Sequence, residues 1–82
     1  MVKFSRQPNF KKLFSKIKDQ ATKDKIVTQL KKIRKNPEVG KPMEHSRKGT
    51  REVYVKPYRL SYVYLEEEDK IILLDLYHKD KQ

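Results

Sequence analysis

Apolar side chains in the first half of the chain recur at the spacing of amphipathic helices. Pro8 suits the first turn of a helix, where its missing N–H costs nothing, and apolar residues follow at i, i+3, i+4 and i+7 over Phe10–Ile17. A second stripe spans Ile26–Ile33, with Thr22 as the expected N-cap. It ends at Asn36-Pro37, because the residue before proline avoids helical geometry. The pattern predicts two helices joined by a short break, packed as an antiparallel hairpin.

After residue 50 the apolar period changes to two, which is typical of half-buried strands. A tight turn is predicted at Lys56-Pro57 and an acidic hairpin connection at Glu66–Asp69. Pro37–Gly49 is predicted to be a loop, because it holds both glycines and two of the four prolines. The predicted strands are Val2–Ser5, Arg51–Lys56, Tyr58–Leu65 and Lys70–Tyr77, the last being too apolar for an edge.

These elements follow one another in the order β-α-α-β-β-β. The order predicts an α+β fold, with the N-terminal helical hairpin packed on one face of a small, mainly antiparallel sheet of three or four strands. The 82 residues fit one domain, 1–82. The other face of the sheet is left open, so we expect the working surface there.

The net charge of +10 is unevenly placed along the chain. Residues 1–41 hold 13 basic and 3 acidic side chains, whereas residues 42–82 hold 8 of each. An excess of this sign favours a polyanion: a nucleic acid through counterion release, or otherwise an acidic protein or an anionic membrane. A thermophile-type surface would bring matching glutamate, which is lacking here. We therefore interpret the helical half as a docking surface, for RNA in the first place.

Composition excludes several kinds of site. Without cysteine there is no disulfide, thiolate metal site or cysteine nucleophile, and a small domain of this kind is expected in a reducing, cytoplasmic setting. Gly40 and Gly49 are isolated, so no glycine-rich phosphate loop exists, and two histidines do not form the common zinc spacings. The N-terminal residues lack the apolar run of a signal peptide or membrane span. We expect no metal, no cofactor and no membrane partner.

Basic and aromatic side chains gather in the C-terminal half, where three of the five arginines lie between positions 47 and 59. Arginine matches phosphate bidentately. RNA cleavage without a metal needs a held phosphate, stabilisation of the added negative charge as the 2′-hydroxyl attacks, and two proton transfers. Arg59 is the candidate for charge stabilisation, and His78, whose imidazole titrates near neutrality, for one proton transfer. Taken singly, an arginine in a strand is usually a solvated surface residue, and a histidine at the end of a strand usually has no catalytic role.

Short motifs occur in a fixed order over nearly the whole chain. They are Asn36-Pro37, Gly40-Lys41-Pro42-Met43, Lys48-Gly49, Arg51–Val55, Pro57–Tyr62 and Tyr77–Asp80. The set resembles the RelE/ParE toxin superfamily, most closely in the Tyr-Arg-Leu-x-Tyr strand. The resemblance implies a single RelE-like toxin domain over residues 1–82.

That resemblance also implies an activity and its residues. It implies a toxin of a type II toxin–antitoxin system, an endoribonuclease that cleaves messenger RNA in the A site of a 70S-type ribosome and is inhibited by a RelB-like antitoxin in a heteromeric complex. Arg59 would contact the scissile phosphate, Arg51 and Lys56 would be phosphate ligands or proton-transfer groups, and His78 would be catalytic. Further RNA-binding residues implied are Arg47, Lys48, Tyr77, Lys79 and Lys81.

Two departures and two alternatives accompany this interpretation. Pro57 stands where many members have glycine. RelE-like members often carry a catalytic tyrosine a few residues beyond the last strand, and this sequence has none there, so either His78 or Tyr77 would have to act in its place or the activity is weak or context-dependent. The ParE branch, whose members inhibit DNA gyrase, shares the fold without ribonuclease chemistry. A non-catalytic basic RNA- or ribosome-binding module is the other alternative. The basic cluster and the Tyr-His-Lys ending favour RNA cleavage.

Overall fold

Two helices and five strands form the molecule, a computed structural model that describes residues 2–44 and 49–78. The helices carry the apolar stripes that their sequence predicts. In chain order the elements are β1 (Lys3–Arg6), α1 (Pro8–Lys16), α2 (Gln20–Lys35), β2 (Lys41–Pro42), β3 (Arg51–Val55), β4 (Tyr58–Leu65), a 3₁₀ turn (Glu66–Glu68) and β5 (Lys70–His78).

The strands form a single sheet in the order β1-β5-β4-β3-β2. β1 is parallel to β5, and every other neighbouring pair is antiparallel, so the predicted α+β class and mainly antiparallel sheet are confirmed. β5 lies inside the sheet between β1 and β4, as its apolar sequence predicts. The predicted loop Pro37–Gly49 is wrong in one part, because Lys41–Pro42 pairs with Arg51 and Glu52 as a fifth strand. Two residues are too short to show a period of two.

The helices begin close to the predicted positions, with one correction. Pro8 occupies the first turn of α1 as expected. The N-cap of α2 is Asp19 and not Thr22: the Asp19 carboxylate accepts from the Ala21 N–H, and the Thr22 hydroxyl donates to it over 2.7 Å. These bonds, that of Thr22 first, lower the pKa of the Asp19 carboxyl. Thr22 therefore completes the cap from inside the helix.

The core lies between the helices and one face of the sheet. Fully buried side chains come from both layers, among them Ile26 and Ile33 of α2 and Leu60 and Leu76 of the sheet. Since successive side chains of a strand point to opposite faces, the neighbours of these strand residues point to the other face, which neither α1 nor α2 covers. The sheet thus has a helix face and an open face, the names used below.

The loop after α2 is tied to the core by a buried tyrosine. The Tyr62 hydroxyl donates to the Pro37 carbonyl over 2.7 Å and accepts from the Gly40 N–H over 2.9 Å. A Cβ at Gly40 would lie 2.7 Å from that hydroxyl, so the close approach requires glycine. Burial raises the pKa of the Tyr62 phenol, and the Gly40 N–H opposes the rise.

No helix within residues 2–44 and 49–78 is long and apolar enough to cross a membrane.

Candidate functional site on the open face of the sheet

The β3–β4 hairpin determines which side chains meet on the open face. Its turn consists of Lys56 and Pro57, joined by a cis peptide bond. This turn pairs Tyr54 with Arg59, and Arg59 pairs in turn with Tyr77 of β5. The three residues therefore lie side by side on three adjacent strands.

A three-residue polar cluster, Glu52, Arg59 and Tyr77, occupies the centre of the open face. The Tyr77 hydroxyl donates a short hydrogen bond to Oε2 of Glu52. Nη1 of Arg59 lies 3.7 Å from Oε1 of the same carboxylate. The Glu52 side chain is only 4% exposed, so its carboxylate meets the phenol and the guanidinium with little water around it.

Arg59 keeps donor capacity that this cluster does not use. Its Nε is buried, and no acceptor within the described residues lies in hydrogen-bonding range. The guanidinium carbon lies 5.9 Å from the centroid of the Tyr54 ring, and the side chain as a whole is 37% exposed. The exposed part of this guanidinium matches an anion such as a phosphate, which accepts several N–H groups at once.

Arg51 lies on the helix face, away from the Arg59 cluster. Its Nη1 donates to the carbonyls of Gly40 and Glu38, over 2.8 and 3.0 Å, and Nη2 is 3.7 Å from the Glu38 carboxylate. These contacts bind the loop between α2 and β2 to β3. The predicted site residue Arg51 is thus not brought together with Arg59.

His78 also lies on the other side of the sheet from Arg59. It pairs with Tyr58 across β4 and β5, and the two rings meet edge to face with centroids 5.6 Å apart. Tyr58 packs against the hydrophobic core. His78 is adjacent to Tyr77 in sequence, but strand alternation directs the two side chains to opposite faces.

Lys56 lies at the boundary between the two faces, in the turn. It borders an open cavity of about 360 Å³ between α2 and the hairpin, which Lys25 and Lys32 also line. Lys56 therefore lies next to the lysines of α2 and not in the Arg59 cluster. Tyr54 borders both this cavity and the Arg59 cluster.

Four predicted RNA-binding residues, Arg47, Lys48, Lys79 and Lys81, lie outside the described residues. Tyr77, predicted to bind RNA, is placed in the cluster. Within residues 2–44 and 49–78, no three His, Asp or Glu side chains are grouped as metal ligands would be.

Glu52 is the residue of the cluster that the sequence reasoning missed. A signal for it was present, because a two-residue turn at Lys56-Pro57 determines the register of the hairpin. In that register Val53 and Val55 share a face with Arg51, so Glu52 and Tyr54 share the other face with Arg59. Glu52 is the one carboxylate of β3, and a search for basic residues does not select it.

Comparison with known proteins identifies sequence and structural relatives. A model of the family described as "ParE toxin of type II toxin-antitoxin system, parDE" matches residues 6–82. A search among curated protein sequences finds no match.

Solved structures with the same fold include two that are described as toxins. The isolated RelE toxin of E. coli superposes with a TM-score of 0.82 at 11% identity, covering 100% of this chain and 88% of that one. A YoeB/ParE toxin from Agrobacterium tumefaciens gives 0.84 at 12% identity over 94% and 98% of the chains. The conserved hypothetical protein HP0894 of Helicobacter pylori gives 0.68 at 26% identity over 98% and 97%.

Proposed function

We propose an activity for this protein from the premise that the chain belongs to the ParE toxin family of type II toxin–antitoxin systems. Within the wider RelE/ParE superfamily, the proposed activity is that of a ribosome-dependent endoribonuclease. It cleaves messenger RNA in the ribosomal A site by attack of the RNA's own 2′-hydroxyl, without a metal or another cofactor.

The observation that supports this proposal best is the cluster around Arg59. Arg59, whose buried Nε has no acceptor among the described residues, lies beside a carboxylate that is almost fully buried. Metal-free phosphodiester cleavage needs one group that stabilises the anion and another that takes up a proton. The cluster offers Arg59 for the first task and Glu52 with Tyr77 for the second.

The roles follow from what each side chain offers. Arg59 holds the scissile phosphate and stabilises the extra negative charge that develops as the 2′-oxygen attacks. Glu52 accepts the proton of the 2′-hydroxyl by way of Tyr77, whose O–H already donates to the carboxylate. The His78 ring lies against Tyr58 on the other face of the sheet, out of reach of a phosphate held by Arg59, so the leaving 5′-oxygen takes its proton from solvent in this proposal.

The basic surface supplies the rest of the RNA contacts. Lys56 with Lys25 and Lys32 attracts the phosphates that flank the reacting one, and Arg51 supports the site by holding the loop against β3. Arg47, Lys48, Lys79 and Lys81 extend the RNA-binding surface in this proposal. The toxin acts in the cytoplasm on 70S-type ribosomes, and a RelB-like antitoxin inhibits it in a heteromeric complex.

Mapping messenger RNA ends after induction tests the proposal. We expect cuts at a fixed position within the A-site codon, with a 5′-hydroxyl on the downstream fragment because the 2′-oxygen has displaced it. Arg59→Ala abolishes the cuts, whereas Arg34→Ala, a matched change on α2 away from the open face, leaves them. Intact messages in cells arrested by the wild-type toxin would contradict the proposal.

A second candidate function is DNA gyrase inhibition, favoured by the description of the family that matches residues 6–82. It predicts gyrase-linked DNA breaks after induction, with messages intact and with no requirement for Glu52. A non-catalytic RNA- or ribosome-binding module predicts neither cuts nor breaks. The same induction experiment, read on RNA and on DNA, therefore separates all three.

A further inference from the structure

An exposed tyrosine lies beside the Arg59 cluster and has no part in the chemistry assigned above. Tyr54 is the one largely exposed aromatic residue among those described, at 47%, although a domain this small needs its aromatic side chains in the core. It pairs in register with Arg59, whose guanidinium carbon lies 5.9 Å from the centroid of its ring. The ring is therefore next to the group that holds the scissile phosphate in the proposed function.

Tyr54 also lines the cavity of about 360 Å³ between α2 and the hairpin. Three exposed lysines line the same cavity, Lys25 and Lys32 from α2 and Lys56 from the turn. Asp24 is the one acidic lining residue, and its carboxylate accepts a hydrogen bond from the Gln20 amide over 3.0 Å. The cavity therefore carries a net positive charge beside an aromatic side chain.

A neutral amide completes the lining of this cavity. Gln29 lies one helical turn from both Lys25 and Lys32. Its side chain makes no hydrogen bond to the residues that the structure describes, whereas the adjacent Thr28 hydroxyl donates to the Asp24 carbonyl over 2.9 Å. An amide presents a donor and an acceptor together, and so do the edges of nucleobases. The lining matches a nucleotide at three points: lysines for its phosphate, an aromatic ring for the face of its base and an amide for the base edge.

We propose that this cavity binds a nucleotide next to the scissile phosphate, with its base stacked on Tyr54. An aromatic side chain stacks with any base, because every base has a π-face. One phosphate of that nucleotide is held by Arg59, and the other lies among the lysines of the cavity. Tyr54 is then a positioning residue, which fixes the RNA without touching the reacting atoms. The inference rests on the proposed cleavage of RNA, because it places the base relative to the phosphate that Arg59 holds.

Other occupants fit the cavity less well. An acidic protein segment offers carboxylates to the lysines, but ion pairs between exposed groups contribute little to binding. A polynucleotide gains at each phosphate through the release of counterions, and it also supplies a flat base for the Tyr54 ring. A free mononucleotide has the same base but one phosphate group, so it cannot occupy the Arg59 site and the lysine-lined cavity together.

Fluorescence of 2-aminopurine, a base analogue that is quenched on stacking, tests the contact in the full-length protein. The probe is a single-stranded trinucleotide with 2-aminopurine as its central base and with 2′-deoxyribose, which prevents cleavage. We expect the wild type to quench the probe. Tyr54→Phe, which keeps the ring, should quench it equally, and Tyr54→Leu should not. A wild type that leaves the fluorescence unchanged, or a leucine variant that quenches as the wild type does, would overturn the proposal.

A double-mutant cycle separates loss of the stack from a change in the fold. Tyr54→Leu is expected to weaken binding of the trinucleotide about tenfold, measured by calorimetric titration. The matched ligand has an abasic sugar at its centre. It should bind to Tyr54→Leu and to wild type with affinities within about twofold of each other, because the ring then has no base to contact. Equal weakening for both ligands would refute the stack.

Cleavage on programmed ribosomes separates this inference from the proposed function. Tyr54→Leu should lower kcat/KM about tenfold, and Tyr54→Phe should stay within about twofold of wild type. A wild type that stacks the trinucleotide but leaves messages intact would refute the nuclease and support the nucleotide site. A wild type that cleaves, with Tyr54→Leu fully active, would refute the nucleotide site and leave the nuclease in place.

Discussion

The two faces of the β3–β4 hairpin carry basic residues with opposite local roles. On the open face Arg59 has a buried Nε without an acceptor among the described residues, and it lies beside Glu52 and Tyr77. On the helix face the Arg51 guanidinium donates hydrogen bonds to the carbonyls of Glu38 and Gly40. Both are arginines of one hairpin, eight positions apart.

The difference shows that residue type alone does not identify a catalytic arginine. Position along a strand decides which face a side chain takes, and the partners on that face decide whether its donors are already used. Arg51 has acceptors of its own chain within 3.0 Å, so it has less to offer a substrate than Arg59. We therefore expect substitutions on the open face to lower mainly the cleavage rate, and substitutions on the helix face to lower mainly the free energy of unfolding.

The largest expected effect is that of Arg59→Ala on cleavage. Removing the group that stabilises the developing charge should lower the rate on ribosome-bound messenger RNA by roughly 10²–10³. The melting temperature should fall only modestly, because the buried Glu52 carboxylate loses its guanidinium neighbour at 3.7 Å but keeps the hydrogen bond from Tyr77. Cleavage of purified, programmed ribosomes and thermal unfolding measure the two quantities.

Arg51→Ala is the matched control, with the opposite expected profile. It leaves two carbonyls without their charged donor, so the free energy of unfolding should fall by about 1–3 kcal/mol. The cleavage rate of the folded fraction should stay within a few-fold of wild type. A loss of cleavage as large as that of Arg59→Ala would show that Arg51 takes part in catalysis, as the sequence predicts.

Glu52→Gln should have the next largest effect. The amide keeps the shape of the side chain and still accepts from Tyr77, but it cannot take up a proton, so cleavage should fall by roughly 10². Glu38→Gln, an equivalent change to the 70% exposed carboxylate beside Arg51, should leave the rate unchanged. The readout is single-turnover cleavage across pH: equal rates for Glu52→Gln and wild type would remove Glu52 from the mechanism.

Much of the fold was predictable because its long elements have clear periods. The stripe from Phe10 to Ile17 and the alternation of Tyr58–Leu65 each extend over several repeats, and both elements are confirmed. The two-residue strand Lys41–Pro42 has no repeat to detect, since its pairing depends on the partner strand alone. The predicted N-cap Thr22 was wrong because Asp19 and Thr22 are both good N-cap residues near the same helix start, and the structure uses Asp19.

The candidate site was less predictable, because it depends on register across three strands. Arg59 was found from the Tyr-Arg-Leu pattern, but its neighbours depend on the turn at Lys56-Pro57 and on the pairing of β4 with β5. A one-residue change of register would exchange the two faces. Glu52 and His78 are therefore the residues whose placement the structure changes most.

On the helix face, Tyr62→Phe should lower the free energy of unfolding and leave the cleavage rate of the folded protein unchanged. It leaves the Gly40 N–H and the Pro37 carbonyl without their buried partner, so we expect a loss of about 1–3 kcal/mol in the free energy of unfolding. Urea unfolding at neutral pH measures it. A loss of cleavage by the folded variant would mean that the loop, and not only the open face, shapes the site.

The same variant should also change the dependence of stability on pH. Burial raises the pKa of Tyr62 in the folded protein, so its contribution is fully present below the unfolded pKa of about 10 and is lost as pH rises through the folded value. Wild-type stability should therefore fall more steeply above about pH 10 than that of Tyr62→Phe. Parallel slopes in urea unfolding would contradict this.

The smallest expected effect is that of Lys56→Ala, at the boundary between the faces. If Lys56 contacts one flanking phosphate, binding of a 2′-deoxy, non-cleavable RNA should weaken a few-fold. The slope of log affinity against log salt should become shallower by about 0.7. Lys11→Ala, a change to an exposed lysine of α1, controls for net charge alone. A cleavage rate that falls much further than affinity would instead place Lys56 among the groups that move protons, because a flanking contact lowers binding and rate together.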